Sequence, residues 1–228
     1  MVSLKRVLGI FVAAFVLMAF TAAVLPDNAV FAKKKLDNMT SEDYVKEGDK
    51  LYAHGKYRDA GLKYIVAIAK DADNYEARYK AGLVFEKMGN YDEAVKYYEE
   101  AIKANDKYMP PYKHLGDVYM IKRDFDKSLD SYNAFIAKDQ TSAEAYSNRS
   151  IVWLVKNDAL KALEDADSAI RLNPNMYAAW YTKGMAADAL GDKKVSIYAY
   201  ERYIELAPHE EAHLMNTEYA GERIKALK

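Results

Sequence analysis

The 228-residue sequence contains no cysteine. Disulfides, thiolate nucleophiles, Cys-based metal sites and a lipid-modified N-terminal cysteine are therefore excluded. The sequence also lacks an excess of charge of one sign, since 33 basic residues stand against 34 acidic ones. Nothing in this balance points to nucleic acid or to an anionic membrane surface. A glycine-rich phosphate loop is absent as well. What remains is a chain with 51% hydrophobic residues, which is enough for a folded protein.

The first 32 residues differ in composition from all that follow. Two basic residues precede an uncharged, apolar run, Val7–Leu25, and Pro26 ends it. Small residues then stand at the two positions that a signal peptidase reads before the bond after Ala32. This layout predicts a secretory signal peptide over residues 1–32. The alternative is a retained membrane anchor at residues 7–25, because the run is long enough to span a bilayer.

Both alternatives place the rest of the chain on the same side of the membrane. The only basic residues before the apolar run would stay inside, so residues 33–228 are expected outside the cytoplasm, in a periplasmic or other extracytoplasmic location. Residues 33–40 then form a short linker.

A period of 34 residues runs through the chain five times, from Ser41 to Glu210. A first small-residue position holds Gly48, Gly82, Gly116, Ser150 and Gly184. A second holds Ala60, Ala94, Ser128, Ala162 and Ser196. An aromatic position holds Tyr64, Tyr98, Tyr132 and Tyr200, with Ala166 as the exception. Self-similarity at a fixed period indicates a stack of small units, each unable to bury its own apolar face alone.

Each unit has the pattern of two helices joined by a tight turn. In the second unit, Gly82 and Phe85 share one helical face, Gly89 opens a turn signal, and Ala94 and Tyr98 share the face of a second helix. Two antiparallel helices of about a dozen residues each account for the whole period.

These residues resemble the tetratricopeptide repeat family. The family pattern has a bulky residue at position 4, small residues at 8, 20 and 27, aromatics at 11 and 24, and proline at 32. With Ser41 as position 1, the second unit matches at five positions, and Pro174 and Pro208 close the fourth and fifth, whereas Phe135 replaces a small residue in the third. The units span residues 41–74, 75–108, 109–142, 143–176 and 177–210.

The resemblance covers 170 of the 228 residues. It implies an all-α fold, a right-handed α-solenoid of five helix-turn-helix repeats. Residues 211–228 keep a helical spacing of apolar residues, including Ala212, Met215, Tyr219 and Ile224. We expect this segment to be a capping helix over the open end of the stack.

The resemblance also implies where a partner would bind. In this family the first helix of each pair lines a concave groove, mainly through positions 2, 5, 9, 12 and 13. An apolar strip rimmed by charge on such a surface is typical of a protein- or peptide-binding site. The alternative is that some of these side chains pack against neighbouring repeats. The expected partner-binding residues are Tyr52, Tyr79, Leu83, Lys113, Met120, Ile151, Leu154, Tyr181 and Met185.

One motif favours chemistry instead. The segment from His209 to His213 reads H-E-E-A-H, which on a helix could hold zinc with Glu210 as general base. A third protein ligand is missing from the pattern, and the motif begins directly after Pro208, at the start of the expected cap. Zinc peptidase activity or metal binding at His209 and His213 is therefore the weaker alternative.

The main prediction is a non-catalytic scaffold of the cell envelope, without a cofactor, that binds a protein or peptide. No nucleic acid partner is expected. Contact with a membrane is expected only if the N-terminal segment is retained.

Overall fold

The structure, a computed structural model, describes residues 38–208 and 210–228, except the side chains of 211 and 212. The predicted signal peptide and most of the predicted linker lie outside the described residues. Within these ranges the chain has eleven helices and no strand, and none of the helices has the length and apolarity needed to cross a bilayer. They are α1 (Ser41–Ala53), α2 (Tyr57–Lys70), α3 (Tyr75–Lys87), α4 (Tyr91–Ala104), α5 (Pro110–Ile121), α6 (Phe125–Lys138), α7 (Ala143–Val155), α8 (Ala159–Leu172), α9 (Tyr177–Ala189), α10 (Lys193–Leu206) and α11 (Glu211–Leu227).

The helices pack in chain order. Each odd-numbered helix from α1 to α9 packs against the next helix to form a pair, and each pair packs against the following one. α11 packs against α10 at the C-terminal end. The predicted all-α solenoid of helix pairs is confirmed, because contacts run mainly between neighbours along the chain.

The turn inside every pair depends on one residue in the left-handed region. Gly55, Gly89 and Gly191, with φ of 72°, 74° and 79°, share position 15 of their repeats. Arg123 and Asn157 occupy the same position with φ of 61° and 60°. Glycine adopts this conformation at little cost, and asparagine tolerates it better than most residues. The turn predicted at Gly89 therefore reflects a backbone requirement shared by all five repeats.

The core of four repeats rests on a tyrosine ring packed directly on a glycine. A Cβ added at Gly48, Gly82 or Gly116 would lie 2.5 Å from the ring of the aromatic residue at position 24, and one at Gly184 would lie 2.6 Å away. These rings are buried, with Tyr98 fully inaccessible to solvent. Glycine is needed here because no side chain fits between the two helices.

The fourth repeat solves the same packing problem differently. Ser150 stands in place of the glycine, and Ala166 stands in place of the tyrosine; both are fully buried. Since no ring crosses the helix pair, there is room for the serine side chain, whose hydroxyl donates to the carbonyl of Ser147 at 2.6 Å. In this repeat a smaller residue at the aromatic position is thus matched by a larger residue at the facing small-residue position.

The last helix covers the fifth repeat through one face only. Ala220 and Ile224 of α11 are buried and belong to the same cluster as Tyr200 and Tyr203 of α10. Met215, which the apolar spacing placed with the packed residues, is 80% exposed. It precedes Ala220 by five residues and so lies about 140° away from it around the helix.

We predict opposite effects for two glycine-to-alanine changes. Gly82→Ala should lower the free energy of unfolding by about 1–3 kcal/mol, since the new methyl group overlaps the buried Tyr98 ring. Gly221→Ala, in open space on α11, should raise it by up to about 1 kcal/mol through helix propensity. Urea denaturation of the three proteins measures both, and equal effects of the two changes would contradict this account.

Candidate binding groove

All nine predicted groove residues lie on the first helices of their pairs. Tyr52 is on α1, and the others follow in order on α3, α5, α7 and α9. Ile151 is exposed, whereas the other eight are half-buried. Their surroundings differ between the two ends of the chain, and the groove accordingly has an N-terminal part on α1, α3, α5 and the first turn of α7, and a C-terminal part on the rest of α7 and on α9.

The C-terminal part of the groove contains an apolar cavity of about 440 Å³. Four predicted residues contribute to its wall, namely Ile151, Leu154, Tyr181 and Met185. The remaining lining residues are Val155, Tyr177, Ala178, Thr182, Tyr203, His213 and Asn216. This volume is within the range of ligand pockets and accommodates one or two large side chains of a partner.

Aromatic contacts hold the cavity wall in place. The rings of Tyr181 and Tyr203 are 4.9 Å apart, and the rings of Tyr177 and His213 meet edge-to-face at 5.1 Å. His213 belongs to the cap, so α11 completes the cavity as well as covering the end of the stack. The cap is therefore part of the candidate site.

Tyr203 lines this cavity but is not among the predicted groove residues. Its side chain is 1% exposed, and its hydroxyl has no hydrogen-bond partner among the described residues. Tyr203 stands at position 27 of the fifth repeat, where the family pattern has a small residue. This departure from the pattern is the feature of the sequence that could have identified it. A buried hydroxyl without a partner costs about 1–3 kcal/mol.

The tyrosines of the N-terminal part are largely engaged in packing. The ring of Tyr79 lies 5.9 Å from Tyr98, 5.4 Å from Tyr108 and 5.6 Å from His114. Leu83 packs against the same buried cluster. Tyr79 and Leu83 therefore fit the alternative expectation, that some groove side chains pack against neighbouring repeats.

Buried tyrosine hydroxyls hold acidic side chains along the N-terminal part. Tyr64 donates to Asp49 at 2.8 Å, and Tyr98 donates to Glu86 at 2.6 Å. The hydroxyl of Tyr132 donates in the same way to Asp117. The same aromatic residues that fill the helix pairs thus fix the orientation of carboxylates in the groove.

Glu86 is held in its charged form by these contacts. Burial alone would raise the pKa of its carboxyl, but hydrogen bonds with His114, at 3.1 Å, and Tyr98 outweigh burial and lower it below the usual value. This depressed pKa stabilises the fold above the carboxyl's ordinary titration range, and the stabilisation is lost as the pH falls through the lowered pKa.

Two lysines cross-link neighbouring repeats beside these acids. The Lys80 ammonium lies 2.6 Å from Asp49 and 3.0 Å from Glu76. The Lys113 ammonium lies 2.8 Å from Glu144 and 3.4 Å from Asp117. Burial would lower the pKa of each lysine, but these carboxylates outweigh it and raise both pKa values. Lys113, predicted to contact a partner, thus already pairs with two acids of its own chain.

The metal alternative has limited support in the described part of the chain. His209 lies outside the described residues, and His213 is half-buried in the cavity wall. Among residues 38–208 and 210–228, no group of three or more His, Asp or Glu side chains is arranged to hold a metal ion. The observed neighbour of His213 is the ring of Tyr177.

Comparison with known families agrees with this architecture. The sequence matches the tetratricopeptide repeat family over residues 45–110, 114–175 and 154–211. The chain belongs to this family. Its membership supports a protein-interaction scaffold as the general class of function.

A human relative, tetratricopeptide repeat protein 12, is 27% identical over 119 residues. The match covers 52% of this chain but only 17% of that protein. A mouse protein of the same name is 26% identical over 115 residues. This chain therefore corresponds to less than a fifth of the relatives' length.

Solved structures of the family share the fold at low sequence identity. YrrB, described as a TPR protein with an unusual peptide-binding site, has a TM-score of 0.71 and 19% identity, covering 84% of this chain and 97% of its own. MamA has a TM-score of 0.67 and 21% identity, covering 72% of this chain and 90% of its own. A tetratricopeptide repeat protein from Parabacteroides merdae has a TM-score of 0.70 and 16% identity, covering 81% and 73%.

Removing two buried tyrosine hydroxyls should have different consequences. Tyr98→Phe should lower the free energy of unfolding by about 1–3 kcal/mol, because Glu86 loses a hydrogen bond. Tyr203→Phe should leave it unchanged or raise it by up to about 1 kcal/mol, because the lost hydroxyl has no partner. Thermal and urea unfolding compare the two variants, and a larger loss for Tyr203→Phe would show that its hydroxyl is satisfied in solution.

Proposed function

We propose that this chain is a non-catalytic scaffold that holds a peptide or an extended protein segment in its concave groove. The observation that carries the proposal is the apolar cavity between the inner helices α7 and α9, to whose wall the cap contributes. The apolar walls of this cavity suit an apolar side chain supplied by another molecule. The peptide-binding site ascribed to YrrB, a protein of the same fold, supports this use of the surface.

The polar groups of the cavity favour binding over catalysis. Its described lining includes Thr182, His213 and Asn216 but no carboxylate. The hydroxyl of Thr182 donates to the carbonyl of Ala178 at 3.0 Å. The other polar groups of the lining are tyrosine hydroxyls, and no described lining residue supplies a carboxylate that would orient His213 for general acid–base chemistry.

We also propose that the scaffold works outside the cytoplasm, on the basis of the basic start, apolar run and small-residue site of residues 1–32. Cleavage predicts that protein recovered from cells begins at Lys33, which N-terminal sequencing and intact mass measure together. A chain that retains Met1 and fractionates with the membrane would select the anchor instead. A chain that retains Met1 in the cytoplasmic fraction would contradict export.

Photo-crosslinking in the native host tests the groove. A photoreactive amino acid at Ile151, exposed at the cavity edge, should capture a partner protein. The same probe at Lys96, exposed on the second helix of its pair, is the matched control and should not capture it. Equal capture from both positions would contradict a groove-specific site.

The captured partner then allows a quantitative measurement with purified proteins. Leu154→Asp should lower its affinity at least about tenfold, because a charge replaces an apolar contact in the cavity. Lys96→Asp should change the affinity by less than about twofold. Unchanged affinity with folded Leu154→Asp would remove the cavity from the binding site.

A further inference from the structure

We infer that the groove, if it binds as proposed above, selects an extended segment with at least one Lys or Arg and one bulky apolar residue, separated by about three residues. The apolar side chain enters the cavity, and the cation lies beside the exposed acids of the N-terminal part of the groove. The inference rests on the proposed function and goes beyond it by giving the chemistry of the partner. It is carried by the uneven charge of the two parts of the groove.

The N-terminal part of the groove is acidic. Five carboxylates in this part are here called the acidic patch. Lys80 pairs with two of them and Lys113 with two others, and the fifth accepts a hydrogen bond from Tyr98. The five carboxylates are Asp49, Glu76, Glu86, Asp117 and Glu144. With Glu42 also counted, six acids stand at the inner positions of the first four repeats, against two lysines there, Lys87 and Lys113, and two more at the adjoining position 6, Lys46 and Lys80.

Three of the five carboxylates are clearly more accessible than the lysines beside them, whereas Asp117 and Glu86 are only 26% and 21% exposed. The side chains of Lys80 and Lys113 are 19% and 21% exposed. Those of Asp49, Glu76 and Glu144 are 43%, 52% and 59% exposed. An approaching segment therefore meets carboxylate oxygens before it meets ammonium groups, which favours a cation in the partner.

The C-terminal part of the groove offers no comparable charge. Its cavity is lined by apolar side chains at the inner positions of α7 and α9. The acid beside it, Asp188, already accepts two hydrogen bonds from Arg223 of the cap, at 2.7 Å and 2.8 Å. A partner cation therefore has accessible acids at one end of the groove, whereas a partner apolar side chain has its cavity at the other.

The spacing of the two features follows from one helix. Glu144, the most exposed acid of the patch, and Ile151, at the cavity edge, both lie on α7. They are seven residues apart, which corresponds to about 10 Å along a helix. An extended peptide covers about 10 Å with three residues.

A peptide selection measures this preference without knowledge of the partner. The protein as recovered from cells is immobilised and offered a random library of peptides about nine residues long, which extend over about 30 Å. Wild type should enrich peptides with Lys or Arg about three residues from Leu, Met, Phe or Trp, in one direction of the chain.

Two pairs of substitutions separate local charge from net charge. Glu76→Lys/Glu144→Lys should shift the enriched peptides from Lys and Arg to Asp and Glu, while the apolar residue is retained. The control pair Glu93→Lys/Glu164→Lys changes the net charge equally at exposed positions of α4 and α8, and should keep the wild-type preference. Because Lys80 and Lys113 would face the new lysines, Glu76→Gln/Glu144→Gln serves as a milder pair that is expected to fold.

For a peptide selected on wild type, the Gln pair should weaken binding by about 2- to 30-fold at low salt, as expected for two exposed ion pairs. The loss should shrink as salt is added. A wild-type preference for acidic or uncharged peptides, with binding still abolished by Leu154→Asp, would overturn the inference and leave the groove proposal intact. Enrichment of no peptide by any folded variant would overturn both.

Discussion

The rest of the structure depends on the contact between a tyrosine ring and a glycine within the helix pair. In four of the five repeats the ring fills the space that a Cβ on the glycine would need, which sets how closely the two helices approach. The hydroxyl of the same ring reaches the groove in the first three repeats and binds a carboxylate there. In these three repeats one side chain thus fixes the packing of the helix pair and the orientation of an acid on its inner surface. In the fourth repeat Ala166 has no hydroxyl, and Ile151 and Leu154 in its groove are apolar.

The fold could be predicted from the sequence because its period is visible in the residue types themselves. Glycine, alanine and tyrosine recur at fixed positions of a local unit, and each unit contacts mainly its neighbours, so little long-range information is needed. Ser150 and Ala166 were visible in the sequence as two separate exceptions to the repeat pattern. That they compensate for each other follows only from the contact between the two positions in the folded helix pair. Met215 shares the apolar spacing of the terminal helix but is exposed. Such spacing on a single terminal helix does not show which side meets the stack.

The candidate site was less predictable because inner positions serve two purposes. Tyr79 and Lys113 occupy groove positions, yet one packs in an aromatic cluster and the other pairs with Glu144 of the next repeat, 31 residues away. Such partners come together only when successive repeats stack. The contribution of His213 and Asn216 likewise depends on where the cap lies against α9 and α10, which the 34-residue pattern does not specify. Sequence positions therefore indicated the surface, whereas the structure distinguished its acidic part from its apolar part.

The near-neighbour contacts of the solenoid have a consequence for cooperativity. A chain of this kind resembles a one-dimensional array, in which terminal units open more readily than central ones and distant units are coupled only through those between them. The acidic patch belongs mainly to the first three repeats, and the cavity belongs to the fourth, the fifth and the cap. A single segment bound along both would connect units that otherwise communicate weakly. Binding of such a segment would then stabilise both ends against partial opening, and the array would unfold as one unit.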